Sequence, residues 1–285
     1  MVATFVIFLR EGIEASMIVA ILLAYLDQIG QRRHFRDVLA GVGAALVLAA
    51  AGGTVAYLTI RTYAGSRVQT IFETSTYVVA AVILTYMTFW MRNHSRTMSA
   101  ELRARTDSAL SGGQRRGLFL LSFQAVGREG LETVVFTLAI VFSTSAAGAM
   151  AGAGAGLAGA LVVAFAIYRF GKKINVAVFF KVVGALLMVF AAGLLVDAVE
   201  GLQQLGWLPV LAHPLWNSTH VLSEDSALGD IVHSFFGYVS RPTGLEIVIW
   251  VGYILLVITA FLGLWPRLGH RPAADAAAEN GDRRS

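Results

Sequence analysis

Long unbroken apolar runs dominate the chain, with little of the strand-like alternation of polar and apolar positions. Seven segments, residues 2–26, 38–60, 73–91, 117–142, 148–170, 176–196 and 245–265, are long and apolar enough to cross a bilayer, which takes about 20 residues as helix. The pattern predicts an all-α polytopic membrane protein with seven transmembrane helices. The fifth segment (AMAGAGAGLAGALVVAF) is rich in glycine and alanine and predicts close helix packing. The sixth carries Lys181 near its start, where a lysine can snorkel to the interface. The first is interrupted by Arg10, Glu11 and Glu14, lacks a basic start and offers no clear cleavage site, so it reads as a span and not as a leader. The polar loop 92–116 has room for a short amphipathic helix. The segment 201–244 is long and carries His213, His220, Glu224, Asp225, Asp230 and His233. Residues 1–266 then form one membrane domain, and 267–285 read as a disordered polar tail.

Composition sharpens this picture. Only 14% of the 285 residues are charged and 56% are hydrophobic, against about 25% charged in ordinary soluble domains. So few charges cannot clothe a soluble enzyme of this size, and the mean hydropathy of +0.68 agrees. The absence of cysteine removes disulfides, thiolate metal sites and cysteine nucleophiles. The net charge of +4 does not point to nucleic acid, because the basic residues are sorted by side. Of the 22 Lys and Arg, 17 fall on one side of the seven segments and 3 on the other. Positive loops face the cytoplasm, so the N-terminus is expected outside and the C-terminus inside, in a cytoplasmic (inner) membrane.

Two of the spans contain the same charged motif. Arg10-Glu11-Gly12-Ile13-Glu14 and Arg128-Glu129-Gly130-Leu131-Glu132 lie 118 residues apart. Each charge at the centre of a bilayer costs about 2.5–3.5 kcal/mol on insertion scales, so six of them need a reason. The first motif helix runs inward and the fourth outward. Residues 1–92 and 117–200 therefore read as a 3+3 inverted repeat with the last span, 245–265, appended. Such repeats place substrate sites at their interface near the midplane. Glutamates at i and i+3 share a helix face, so the two motifs can bring Glu11, Glu14, Glu129 and Glu132 around one point. Arg10 and Arg128 stand at i,i+4 to Glu14 and Glu132 and neutralise part of that charge, leaving a net −2 if all six groups are ionised. Oxygen-rich sites of this kind suit hard cations. Glu73, at the outer start of the third span, is a further candidate for gathering cations. Structural ion pairing is the competing reading of the motifs, but it leaves two carboxylates over. No phosphate-binding GxxxxGK[ST] sequence is present.

With the doubled motif in view, and with ILTYMTFWMRNHSR (83–96), INVAVFFK (174–181) and FFGY (235–238) supporting it, the chain from residue 1 to about 265 resembles the iron permease family in its bacterial EfeU branch. The resemblance implies a seven-span permease, not an enzyme, in which the motif glutamates handle iron. Iron, ferric or ferrous, would be the transported substrate, with no permanent cofactor. A ferrous ion would neutralise the cluster and a ferric ion would leave +1. The resemblance also implies separate extracytoplasmic iron-oxidising or iron-binding partner proteins, beside the membrane lipid itself. Read from the residues alone, manganese or another hard divalent ion, a carboxylate-based intramembrane enzyme and an iron sensor stay open.

Overall fold

The structure, a computed structural model, describes residues 1–94, 97–111, 115–143, 146–170, 176–223 and 226–261. Among these residues the regular structure is helical, with one isolated bridge between Pro214 and Thr243. The helices are α1 (Val2–Gln28), α2 (Phe35–Arg61), α3 (Arg67–His94), α4 (Met98–Ser111), α5 (Arg115–Ser143), α6 (Ala146–Phe170), α7 (Val176–Gln204), α8 (Ala227–Phe236) and α9 (Gly244–Phe261). Each of the seven apolar segments thus coincides with a helix. By length and apolarity alone, four described stretches can cross a bilayer: those within α2, α3, α6 and α7. The motif helices α1 and α5 are as long, but their buried charges lower their apolarity, and the described part of α9 is shorter. The polar loop holds a short helix, α4, which is polar over most of its surface and buries Leu102 and Thr106.

Two features depart from the pattern read off the sequence. Helix α7 does not stop near residue 196 but runs to Gln204, which places Asp197 and Glu200 on its last turns. The segment 201–244 also holds a helix of its own, α8. Ser226 caps its start, its hydroxyl accepting from Gly229 N at 3.0 Å. Gly237 ends it in the left-handed conformation, φ 68°. A Cβ on Gly237 would lie 2.5 Å from Gly193 Cα of α7, so glycine is needed there both for the turn and for the contact. Helix α9 begins with a capping box, in which Glu246 accepts from Thr243 N at 2.9 Å. The tail 267–285, the last residues of the seventh apolar segment (262–265), and Glu224 and Asp225 lie outside the described residues.

Helix packing is strongly paired. The most extensive interfaces are α1 with α6, α2 with α5 and α3 with α7, while α1 and α5 also touch each other. The glycine-rich α6 allows the first of these: a Cβ on Gly156 would lie 2.8 Å from Phe8 Cβ. Threonines within α3 return their hydroxyls to the helix backbone, as Thr85 does to Ala81 O at 2.7 Å and Thr88 to Leu84 O at 2.8 Å. Large apolar side chains such as Val47, Leu48, Val162 and Phe165 stand exposed on α2 and α6, as a surface in contact with lipid requires. Inside, two separate apolar clusters form. One joins the start of α1 (Val6, Ile7) to α3, α7 and the end of α5 (Phe136, Ile140). The other joins the end of α1 (Leu22, Leu26) to α2, α4 and the start of α5 (Leu118, Val126). Residues 10–14 and 128–132 fall in the band between them.

Candidate metal site

Helices α1 and α5 touch where the doubled motif lies, and the motif glycines are what allow their neighbours so close. A Cβ on Gly12 would come 2.6 Å from Ala160 Cβ of α6, and one on Gly130 would come 2.9 Å from Ala49 Cβ of α2. Both distances lie inside normal contact, so each glycine seats its helix against the other half of the molecule.

Between these contacts the charged side chains gather. Glu11, Glu14 and Glu129 each offer a carboxylate oxygen, and the three oxygens lie within 4.8 Å of one another. All three residues are buried. Ligands around an ion bound at about 2.1 Å stand roughly 3–4 Å apart, so a small contraction would bring the three oxygens onto one cation. Glu132, also buried, borders the cluster from α5. Glu11 Oε2, Glu14 Oε1, Glu129 Oε2 and Glu132 Oε2 are all buried without a hydrogen-bond partner among the described residues. A buried carboxylate oxygen left in this way is costly. A cation is one partner that would satisfy such oxygens; Glu14 Oε1 is already faced by the Arg10 guanidinium.

The two arginines behave differently. Arg10 Nη1 donates to Glu11 Oε1 at 2.7 Å, and its Nε lies 3.0 Å from Glu14 Oε1, close enough for charge pairing but not aligned as a hydrogen bond. Arg10 is 2% exposed. Arg128 donates from Nε to Glu132 Oε1 at 3.0 Å, and its side chain is 45% exposed. Its Nη2 reaches Met87 Sδ at 2.8 Å, and its guanidinium carbon stands 5.1 Å from the centre of the Trp90 ring. From sequence, Met87 reads as a packing residue and Trp90 as an interface residue; neither type announces an arginine contact 41 or 38 positions away. Thr133, beside the second motif, returns its hydroxyl to Glu129 O at 2.8 Å.

A cavity of about 860 Å³ runs from Glu11 and Glu129 along one face of α1, past Ser16, Val19, Ala20 and Leu23, to Asp27 and Phe35. Asp27 is paired with Arg32 there, which holds its carboxyl below the usual carboxylate range. Glu73 does not join the motif glutamates. It lines a separate polar cavity of about 180 Å³ with Thr74, Asp197, Glu200 and His233, and its Oε1 accepts from Gln69 Nε2 at 2.7 Å. His233 Nε2 lies 3.8 Å from Asp197 Oδ1 in that cavity.

Residues 1–266 match the sequence profile of the iron permease FTR1 family. The chain belongs to that family. Among its relatives in the iron permease FTR1 family is the ferrous iron permease EfeU of Escherichia coli O6:K15:H31 (strain 536 / UPEC), 35% identical over 271 residues, covering 94% of this chain and 98% of the relative. The ferrous iron permease EfeU of Shigella sonnei (strain Ss046) is 35% identical over the same shares. That of Yersinia pestis is 36% identical over 263 residues, 92% of this chain and 93% of the relative. No solved structure matches the chain.

Proposed function

We propose that this permease carries iron across the cytoplasmic membrane through the cluster built by its two Arg-Glu-Gly-x-Glu motifs. The observation that carries the reading is the approach of Glu11 and Glu14 from one helix to Glu129 from another, within 4.8 Å and deep in an apolar bundle. Relatives named as ferrous iron permeases support iron as the cation that these oxygens meet. The cation is a transported substrate and the chain is not an enzyme.

The architecture behind this reading is seven membrane crossings in a 3+3 inverted repeat plus one. Its support is the packing pattern. Exchanging α1, α2 and α3 for α5, α6 and α7 turns the α1–α6 interface into the α5–α2 interface and maps the α3–α7 interface onto itself. The two motif glycines follow the same exchange, Gly12 meeting α6 and Gly130 meeting α2. The sorting of Lys and Arg supports an N-terminus outside and a C-terminus in the cytoplasm.

In that orientation Glu73 stands at the outer mouth, where its cavity gathers cations delivered by an extracytoplasmic oxidising or iron-binding partner. The apolar cluster of Ile7, Leu84, Phe136 and Ile140 separates this mouth from the carboxylates, and the cavity that ends at Asp27 leads from them toward the cytoplasm. Transport requires binding strong enough to select and weak enough to release; Arg10, which lies across Glu11 and Glu14, assists release by competing for their oxygens.

Equilibrium dialysis of detergent-purified protein against radioactive ferrous iron, kept reduced with ascorbate, tests the site. Glu11→Gln and Glu129→Gln are expected to weaken binding at least tenfold, with excess manganese displacing iron poorly from the wild type. Wild-type affinity in both variants would refute the site.

A further inference from the structure

The two halves of the cluster hold their arginines in different ways. Arg10 lies across both glutamates of its own motif. Arg128 keeps Glu132 and turns the other edge of its guanidinium toward α3, where Nη2 donates to Met87 Sδ and the Trp90 ring lies beneath. Met87 is 1% exposed, so no water competes for that sulfur. A thioether is a weak acceptor. Yet Glu129 Oε2 and Glu132 Oε2 are buried without a hydrogen-bond partner, and among the described residues no ion pair joins Arg128 to Glu129. The guanidinium thus rests on a poor acceptor and an aromatic face while better acceptors go unused. Glu129 is also the residue through which α5 enters the three-oxygen cluster.

We infer that Met87 and Trp90 are positioning residues for iron binding: they hold the Arg128 guanidinium on α3, away from Glu129, and so leave the Glu129 carboxylate for the cation. The inference rests on the reading that Glu11, Glu14 and Glu129 bind iron. Met87 and Trp90 sit at i and i+3, on one face of α3, and supply two different attractions, a hydrogen-bond acceptor and a π face. With either removed, the guanidinium moves onto the nearest unused acceptors, the glutamate oxygens, and acts as an internal cation that iron must displace. Affinity falls, while the translocation step is left as it was.

The test combines two measurements on the full chain. Uptake of radioactive ferrous iron into proteoliposomes is compared for wild type, Met87→Leu, Trp90→Leu and Trp90→Phe, and binding of the same ion to purified protein is compared with and without Arg128→Gln. Met87→Leu and Trp90→Leu are expected to raise KM roughly three- to tenfold, the size of one cation–π contact, with Vmax little changed. Trp90→Phe, which keeps a weaker π face, falls between and serves if Trp90→Leu does not fold. In the Arg128→Gln background, Met87→Leu adds no further loss of binding, because no guanidinium is left to hold. Unchanged KM in both α3 variants, or an equally large effect of Met87→Leu without Arg128, would overturn the inference. Glu129→Gln, measured alongside, separates the two levels. If it weakens binding while Met87→Leu does not, only the positioning role fails; if it leaves binding unchanged, the carboxylate site fails with it.

Discussion

A carboxylate placed among aliphatic side chains is stable only with something to answer its charge. Here four such groups meet two arginines in a band about one helical turn deep, and the answers are unequal. Arg10 is enclosed and serves two glutamates, so Arg10→Gln strands both of them. Breaking a buried pair from one side costs about 3–5 kcal/mol. The half-exposed Arg128 serves one glutamate and is partly held by α3. Arg10→Gln should therefore lower the melting temperature of the purified protein by several degrees more than Arg128→Gln does, and equal losses would argue against the asymmetry. The glutamates and arginines were legible in the sequence because the motif occurs twice, each time where hydrocarbon should exclude it. Met87 and Trp90 were not, since methionine and tryptophan in a membrane helix have ordinary packing and interface roles, and only the fold brings α3 beside the second motif. Glu73 was legible as a polar residue at a span's outer end, but its separation from the motif glutamates was not.

At the scale of helices, the site depends on how closely four of them approach. The surroundings of the two motif glycines predict a graded response: Gly12→Ala, whose new Cβ would meet Ala160 at 2.6 Å, should destabilise more than Gly130→Ala, which would meet Ala49 at 2.9 Å. Overpacking of this kind costs about 1–3 kcal/mol. The partner change restores the space, so Ala160→Gly is expected to recover the stability and iron uptake lost in Gly12→Ala, read by thermal melting and by proteoliposome flux. No recovery would mean that the glycine serves something other than this contact. The seven apolar segments were readable because bilayer thickness sets the length of a span. The last turns of α7 were not, since Asp197, Glu200, Gln203 and Gln204 have the composition of a loop. Helix α8 was hidden within a segment rich in acids and histidines, although Ser226 and Gly237 stand at its two ends as cap residues.

For the whole molecule, the proposed inverted arrangement makes a prediction about sidedness. The chain has no cysteine, so a single introduced thiol reports its own location. His213→Cys, in the segment after α7, should react with a membrane-impermeant maleimide in intact cells. Ser108→Cys, on α4, should react only after the membrane is opened. The reverse pattern would invert the orientation, and with it the direction in which the cavity along α1 leads. The central claim is that iron crosses by way of glutamates contributed from both halves. Its most direct test is the flux of radioactive iron into proteoliposomes containing wild type, Glu14→Ala or Glu132→Ala. The account predicts that each variant, though inserted and folded, carries iron at a few per cent of the wild-type rate or less; wild-type flux in both would contradict it.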